Sequence, residues 1–179
     1  AELVLATLGQ VSPNRRIACS GSTGGLTLGY DAGGRTLVQY ELLGTGGGGR
    51  RGRDGVSGIQ THVVNCRTAP IEIIETEFPV RVRRFELRAD SGGAGRFRGG
   101  LGYVREYELL ADSAVLSVRG DRHRFAAWGV EGGGEGAPGR FVLNPGRSDE
   151  RVIQARTSGV VLRRGDVVRL ETPGGGGFG

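Results

Sequence analysis

The sequence predicts a mainly β protein, built from antiparallel meanders and long glycine-rich loops, with a short helix at its N terminus. Three observations support this fold class. Short runs rich in β-branched and aromatic residues recur along the chain. Clusters of glycine separate these runs, and glycine supplies 36 of the 179 residues. Only the first segment has the spacing of apolar residues that is typical of a helix.

The helix is predicted in the opening segment, AELVLATLGQV. Leu3, Leu5 and Leu8 fit one helical face together with Ala6. Gly9 is placed where it would end the helix.

Strand-forming runs follow the helix. They cover residues 35–43, 82–88, 103–110, 114–119, 140–143, 151–155, 160–162 and 167–171. From residue 81 onward we expect a β-meander, with ADS as a tight turn and RRGD turning the last hairpin at Gly165. The stretch IEIIETEFPV is ambiguous between a helical turn and a strand. We divide the chain into residues 1–58, a helix plus a glycine-rich loop segment, and residues 59–179, a β-rich segment.

All 24 basic residues are arginine, and the net charge is +5. Such a surface suits bidentate contacts with phosphate or carboxylate, although the base composition of the gene explains it as well. We expect Arg83 and Arg105 on the solvent face of strands. The absence of lysine excludes a P-loop and a lysine Schiff base. Any ATP would therefore be bound by another segment or by a partner.

The chain contains two cysteines, Cys19 and Cys66, which we interpret as reduced thiols of a cytoplasmic protein. No apolar run approaches the ~20 residues of a membrane-spanning helix, and no signal peptide is recognised. Because the chain starts at Ala1 and contains no methionine, we expect it to be a piece of a longer polypeptide.

The stretch ADSGGAGRFRGGLG, residues 89–102, lies between two predicted strands and has two interpretations. As a structural loop, it uses glycine for backbone conformations that other residues avoid. As a binding loop, its successive N–H groups would form an anion-binding concavity, with Arg96 and Arg98 adding positive charge. An extended backbone would place these two arginines on one face and Phe97 on the other.

The stretch DGVSGIQTHVVN contains the candidate catalytic residues. His62 is a candidate general base or proton carrier, because its reference pKa lies near neutrality. Asp54 and Asn65 are candidates to orient His62 or to bind substrate. The alternative is that His62 is a hydrogen-bonded structural histidine. His62 and Cys66 alone do not make a zinc site, so no metal site is predicted.

Two further clusters carry charge. Glu72, Glu75 and Glu77 form an acidic run, which we interpret as a solvated or arginine-paired face rather than a catalytic pair. The stretch RGDRHRFAAWG places His123 among arginines, where it is a candidate to face substrate or another chain of an assembly. Trp128 in the same stretch is expected to be a packing anchor.

Five stretches together resemble the hydantoinase B/oxoprolinase family. They are ELVLATLGQV, GTGGGGRRGRDG, the long run from DGVSGIQTHVVN to GYVREYEL, LSVRGDRHRFAAWGVEGGGEGAPGR and LRRGDVVRLETPGGGGFG. In that family these motifs belong to the C-terminal third of a chain roughly three times this length. The resemblance therefore implies the C-terminal portion of a larger α+β subunit. His62, Asn65 and Pro70 match the family pattern, whereas Cys66 stands where a small polar residue is more usual.

The resemblance also implies a two-part reaction. An A-type partner binds ATP and Mg²⁺ and phosphorylates the carbonyl oxygen of the substrate. The B-type part then opens a cyclic amide such as a hydantoin, oxoproline or a lactam with water, or, in acetone and acetophenone carboxylases, joins a carboxyl donor to the activated carbon. Any divalent metal would be held by the N-terminal part that this sequence lacks. We assign His62, Asp54 and Asn65 to catalysis, and Arg96, Arg98 and His123 to substrate binding.

Two functions of other classes are considered. Stretches such as GGGGRRGRDG and GRFRGG suggest binding of RNA without sequence preference. The arginines are spread over several predicted strands and Arg98 begins the only Arg-Gly-Gly, so we do not expect nucleic acid as the partner. The other hypothesis is a structural interface module, with all chemistry in the missing part.

Overall fold

The computed structural model describes residues 1–31, 35–64 and 66–179 and confirms a mainly β fold with a short N-terminal helix. The described residues form two helices, nine strands and one short 3₁₀ turn. These are α1 (Glu2–Val11), the 3₁₀ turn (Pro13–Arg15), β1 (Gly24–Asp31), β2 (Thr36–Leu43), α2 (Ile71–Glu77), β3 (Val80–Leu87), β4 (Tyr103–Leu109), β5 (Ser113–Gly120), β6 (Arg140–Leu143), β7 (Arg151–Ile153), β8 (Arg156–Arg163) and β9 (Val167–Glu171). Among these residues, no helix has the length and apolar character needed to cross a membrane.

The strands form two antiparallel sheets that share one hydrophobic core. One sheet has the order β2-β1-β5-β8, and the other has the order β3-β4-β9-β6-β7. Alternate residues of each sheet point into the core, as expected when one face is buried and the other is not. Leu26 and Leu116 contribute from the first sheet, Phe141 and Leu170 from the second, and Ile74 of α2 covers the same core.

Strand β1 was not predicted. Its sequence, GGLTLGYD, contains three glycines, which have low strand propensity and hide the alternation of Leu26, Leu28 and Tyr30. These three side chains are buried in the core. The strand lies between β2 and β5, so the two predicted segments of the chain share one sheet.

Two local predictions near the helices are resolved by the structure. Helix α1 continues past Gly9 to Val11, so Gly9 does not end it. Gly9 instead lies against Arg16, whose Nε donates a 2.9 Å hydrogen bond to the Gly9 carbonyl oxygen. The ambiguous stretch forms α2 over Ile71–Glu77, and the chain then turns directly into β3.

The prediction of one continuous meander is wrong after β4. Strands β3 and β4 pair, but β5 joins the other sheet, where it pairs with β1 and β8. Strands β8 and β9 also lie in different sheets, so the turn at Gly165 is not a hairpin. The two turns lie side by side, and the N–H of Gly165 donates to the Leu109 carbonyl oxygen at 2.8 Å. Tight turns therefore carry the chain between the sheets.

Arg105 was expected in solvent, and the structure places it inside the sandwich, with 1% of its surface exposed. It shares the inner face of β4 with Tyr103 and Tyr107, because residues two apart on a strand point the same way. Its Nη1 donates a 3.0 Å hydrogen bond to Glu41 on β2. Arg83, by contrast, is exposed as expected.

The glycine-rich stretches come together as a bundle of extended backbones, formed by residues 44–49, 92–100, 129–136 and 174–177. A Cβ atom on Gly175 would lie 2.0 Å from the carbonyl oxygen of Gly47, and one on Gly99 would lie 1.9 Å from that of Gly175. Glycine is required here because backbones approach too closely for any side chain. Hydrogen bonds join the segments, including Gly49 N–H to Gly176 O at 2.9 Å and Gly100 N–H to Gly47 O at 2.8 Å.

Candidate active site

A cavity of about 270 Å³ lies beside the glycine bundle and brings two of the predicted catalytic residues together. His62 and Asp54 both line it, with Ser20 and Thr61 adding hydroxyl groups. Arg50 and Arg53 add positive charge at its edge. The cavity therefore brings a histidine, a carboxylate and two arginines together at the surface of the sandwich.

His62 contacts a carboxylate that the sequence did not indicate. Its Nε2 lies 2.7 Å from Oε1 of Glu2, in the first turn of α1. The same oxygen accepts hydrogen bonds from the backbone N–H of Ser20, at 3.0 Å, and from the Ser20 hydroxyl. Glu2 thus ties α1 to the Ser20 segment and to His62.

Glu2 is held as an anion. Burial raises its pKa, but the hydrogen bonds from Ser20 and His62 outweigh burial, so the pKa of the Glu2 carboxyl lies below its usual value. An ionised carboxylate only accepts hydrogen bonds, so Nε2 of His62 carries the donated proton. In an uncharged imidazole with this tautomer, the other ring nitrogen, Nδ1, has a free lone pair.

The backbone at His62 is unusual for a residue with a side chain. Its φ angle is +61°, in the left-handed region that glycine prefers. Such a conformation costs of the order of 1 kcal/mol and persists where the surroundings fix it. The contact with Glu2 fixes one side of this turn, and a 3.0 Å hydrogen bond between the Thr61 and Ser20 hydroxyls fixes the other.

The other two predicted catalytic residues have different positions. Oδ1 of Asp54 accepts a 2.8 Å hydrogen bond from the backbone N–H of Arg98, so its carboxylate is anchored to the loop of residues 89–102. The carboxylate in contact with His62 is that of Glu2, and not that of Asp54. Asn65 lies outside the described residues.

Arg96 and Arg98 are both exposed, while Phe97 between them is half-buried against Phe178. Eight N–H groups of this loop already have acceptors within the protein, so these eight do not form an anion-binding concavity. They are those of Gly93, Arg96, Phe97, Arg98, Gly99, Gly100, Leu101 and Gly102. Arg96 and Arg98 offer exposed guanidinium groups to an anion.

His123 lies in a separate and larger cavity, of about 720 Å³. Its ring packs against Phe141, with 4.3 Å between the ring centroids. Burial lowers the pKa of His123 to about 4; the charge of Asp121 opposes this shift and that of Arg88 adds to it. His123 is therefore neutral at pH 7.

A short segment connects the two cavities. Ser22 lines the His123 cavity, and its hydroxyl donates a 2.9 Å hydrogen bond to Asp121. Its backbone N–H donates to the Ser20 hydroxyl, at 3.1 Å, in the His62 cavity. Residues 20–22 therefore link the two cavities, although His123 and His62 do not share a cavity.

The other residues that the sequence analysis singled out make contacts within the fold. Glu75 accepts a 2.7 Å hydrogen bond from the backbone N–H of Val82. The guanidinium of Arg122 lies 4.5 Å from the ring centroid of Trp128, which fits the predicted packing anchor. Cys19 is fully buried, and burial raises the pKa of its thiol to about 12.

Over residues 1–31, 35–64 and 66–179, no group of three or more His, Cys, Asp or Glu is arranged to hold a metal ion.

Glu2 and Ser20 are functional candidates that sequence reasoning missed. Glu2 is the only charged residue of α1, and a single carboxylate at the start of an otherwise uncharged helix was the available signal. This signal is weak, because helix N termini favour acidic residues in general. Nothing in the sequence links Ser20 to residue 62, since their contact depends on the folded chain.

Comparison with known proteins gives a match over the whole chain. The family model described as Hydantoinase B/oxoprolinase matches residues 1–179. A protein from Pseudomonas sp. strain NS671, named as the B-type component of a D-/L-hydantoinase, is 32% identical over 180 aligned positions, covering 100% of this chain and 30% of that protein. The 5-oxoprolinase 1 of Arabidopsis thaliana is 37% identical over 163 positions, covering 90% of this chain and 12% of that protein. The chain thus spans less than a third of these relatives.

Two solved structures share the fold. The ATP-dependent caprolactamase from Pseudomonas jessenii has a TM-score of 0.74 and 26% identity, over 97% of this chain and 32% of that one. The nucleotide-free structure of an acetone carboxylase also has a TM-score of 0.74, with 21% identity, over 96% of this chain and 28% of that one. At that identity the acetone carboxylase shows the fold alone.

Proposed function

Since the chain belongs to the hydantoinase B/oxoprolinase family, we propose that it is part of a hydrolase that opens a cyclic amide after ATP-dependent activation. The observation that carries the proposal is the His62–Glu2 pair at the cavity beside the glycine bundle. The names of the relatives support the substrate class, because hydantoin, 5-oxoproline and caprolactam are all cyclic amides.

The activation step belongs to a partner. Amide resonance makes the carbonyl carbon a poor electrophile, whereas phosphorylation of the carbonyl oxygen turns that oxygen into a leaving group. We place ATP and Mg²⁺ on an A-type subunit, because this chain has no lysine for a P-loop. A divalent metal would belong to the part of the relatives that this chain does not cover.

The hydrolytic step uses His62. Its Nδ1 accepts a proton from the water molecule as the water oxygen bonds to the activated carbon. The Glu2 carboxylate keeps Nε2–H oriented and stabilises the imidazolium that forms. The protonated imidazole then returns this proton to the ring nitrogen. The proton of the new hydroxyl group follows as the carbonyl re-forms and the carbon–nitrogen bond breaks, which leaves a free amine and an acyl phosphate. A second water molecule hydrolyses the acyl phosphate. Phosphate and the ring-opened acid are the products.

The other predicted residues are proposed to contact the substrate. Asp54 lines the same cavity as His62 and is fixed in place by the N–H of Arg98. Arg96 and Arg98 present exposed guanidinium groups from the same loop, which suit the phosphate of an activated substrate. His123 is neutral and is proposed as a substrate contact in the neighbouring cavity. Asn65 is still proposed to orient His62 or to bind substrate.

The protein is proposed to work in an assembly with the remaining part of a longer subunit and with the A-type subunit. Helix α1 supports this, because it exposes apolar side chains that another protein surface would cover. Leu3 is 76% exposed, Val4 60% and Val11 85%. Cys19 and Cys66 are both free thiols, which fits the proposed cytoplasmic location.

Two other functions are less well supported. A carboxylase of the acetone type remains an alternative, but its supporting structure is similar in fold alone. Nucleic-acid binding is disfavoured because many arginines already pair with carboxylates. The pairs with the more buried side chains are Arg105–Glu41, Arg169–Glu106 and Arg88–Glu171.

The test is an assay of the assembled enzyme with hydantoin, 5-oxoproline, caprolactam and acetone, each with and without bicarbonate. Release of phosphate and of ring-opened product is measured together. The proposal predicts that at least one cyclic amide is opened only when ATP is present, independently of bicarbonate. ATP consumption that requires acetone and bicarbonate would assign the carboxylase instead.

A further inference from the structure

Two arginines of the motif GTGGGGRRGRDG, Arg50 and Arg53, line the same cavity as His62. Both are exposed to solvent, so their guanidinium groups are accessible to a ligand. The ring-opening steps use His62 and do not use these two side chains. Their arrangement therefore indicates what else the cavity can bind.

The backbone fixes the two arginines as a pair. The N–H of Arg50 donates to the Arg53 carbonyl oxygen, and the N–H of Arg53 donates to the Arg50 carbonyl oxygen, both at 3.0 Å. Residues that exchange both hydrogen bonds in this way lie opposite each other, with Cα atoms about 5.5 Å apart and side chains on the same face. Gly52, with a φ angle of +81°, allows the tight turn between them. One anion can therefore contact both guanidinium groups.

The charge of the arginine pair is not neutralised within the cavity. Neither side chain forms an ion pair or a side-chain hydrogen bond with another described residue. Asp54 is the one carboxylate among the described residues of the lining, and its Oδ1 accepts the N–H of Arg98. Glu2 contacts His62 but is not part of the lining. Two guanidinium groups against one carboxylate leave the lining with an excess of positive charge.

Arg51, between the two paired arginines, has different surroundings. The central carbon of its guanidinium lies 5.9 Å from the ring centroid of Phe178. Arg51 is not among the described residues that line the cavity, although it is also exposed. It therefore serves as a matched control with the same charge, in the same turn.

The chemistry of an activated cyclic amide requires an anion site beside the base. The phosphorus of such a substrate is two bonds from the carbon that water attacks, so the phosphate must lie in the same cavity as the base that directs the water. The acyl phosphate left by ring opening carries the same group next to the same carbon. Guanidinium groups bind phosphate oxygens through charge-assisted and often bidentate hydrogen bonds.

We propose that Arg50 and Arg53 together bind the phosphate group of the activated substrate in the His62 cavity; the identity of this anion rests on the proposed function. The pair offsets the negative charge of the phosphate during the attack of water and holds the acyl phosphate until a second water hydrolyses it. Val56 and Ile59, on the same lining, provide apolar surface for the carbon skeleton of the ring.

Phosphate binding is measured on the assembled enzyme by arginine modification, which does not require turnover. Phenylglyoxal reacts with exposed guanidinium groups, and tandem mass spectrometry of the peptide that contains residues 50–53 reports each of its three arginines separately. Inorganic phosphate is the probe, and acetate and chloride at the same ionic strength are the controls. Phosphate is expected to slow the modification of Arg50 and Arg53 in a saturable manner and to leave that of Arg51 unchanged.

Two variants with the same change of charge test the pair. Arg53→Gln should raise the phosphate concentration that protects Arg50 by about tenfold or more, because one charged partner of the anion is lost. Arg51→Gln should need the wild-type concentration. Both positions are exposed, so the thermal midpoint of each variant should stay close to that of the wild type. Equal protection of Arg51, equal protection by acetate, or unchanged protection of Arg50 in Arg53→Gln would overturn the proposal.

Kinetic measurements separate this inference from the proposed function. In the assembled enzyme, Arg53→Gln should lower kcat/KM for ring opening by about tenfold or more, and Arg51→Gln should leave it unchanged. Selective protection by phosphate in an assembly that opens no cyclic amide would contradict the proposed function and retain the phosphate site. Ring opening at the wild-type rate in Arg53→Gln would overturn the phosphate site and leave the proposed function intact.

Discussion

The imidazole of His62 lies 2.7 Å from the carboxylate of Glu2, although the two residues are separated by 60 positions in the sequence. The contact joins the first turn of α1 to a strained turn next to the glycine bundle. A carboxylate that fixes one nitrogen of a histidine and leaves the other free is a common arrangement for a general base. The pair is therefore the feature of this fold with the clearest chemical consequence.

Glu2 is expected to act through His62 as a positioning residue. In the assembled enzyme, Glu2→Gln should lower kcat by about tenfold or more with little change in KM, because the imidazolium loses its anionic partner. Gln10→Ala, an exposed change on the same helix, is the control and should leave both unchanged.

The close approach of backbones in the glycine bundle predicts very different losses of stability when two adjacent glycines are replaced by alanine. A Cβ on Gly133 would lie 2.2 Å from the carbonyl oxygen of Gly177, whereas the nearest atom to a Cβ on Gly134 is 3.5 Å away. Gly133→Ala should lower the free energy of unfolding by more than about 3 kcal/mol, and Gly134→Ala should change it by less than about 1 kcal/mol. Urea denaturation of both variants measures the difference, and equal destabilisation would show that close approach is not the reason for these glycines.

The buried pair Arg105–Glu41 predicts a large effect of losing one partner. Glu41→Gln leaves the guanidinium in the sandwich without a counter-charge, which should cost about 3–5 kcal/mol of unfolding free energy. Glu108→Gln breaks the more exposed pair with Arg81 and should cost less than about 1 kcal/mol. Chemical denaturation at pH 7 compares the two, and similar losses would mean that the buried charge is solvated in another way.

The burial of the neutral His123 ring predicts that the protein loses stability on mild acidification. Burial lowers the pKa of His123 to about 4 from an ordinary value of 6.5, so the unfolded chain binds a proton more readily than the folded chain. The stability that neutral His123 contributes is complete above pH 6.5 and is lost as the pH falls toward 4. His123→Gln should flatten the pH dependence of the urea midpoint between about pH 7 and 5. An unchanged slope in this variant would contradict the buried, neutral state of the ring.

The sequence predicted the local features of the fold well and the long-range ones poorly. The strands from β3 onward and helix α1 follow from alternation, helical spacing and turn residues, which are properties of neighbouring residues. The assignment of β5 and β8 to a second sheet does not follow from the sequence, because a tight turn does not determine which sheet the next strand joins. Strand β1 was missed since its three glycines weaken the only local signal.

The candidate site shows the same limit. His62 and Asp54 were identified from residue type and loop context, and the structure places both on one cavity. Glu2, Ser20 and the inward side chain of Arg105 depend on contacts between distant segments. A charged residue on a strand is ordinarily expected in solvent, so the burial of Arg105 becomes visible only when Glu41 is found opposite it.

The most direct test of the account is the rate of ring opening by the assembled enzyme that carries His62→Gln. The account predicts a fall of about 10²-fold or more in ring-opened product, while ATP-dependent activation by the partner, the thermal midpoint and the assembly are retained. Val63→Ala, at a neighbouring side chain that is 91% exposed, should turn over at the wild-type rate. Full turnover in a correctly assembled His62→Gln enzyme would contradict the account and would leave this chain as a structural interface module.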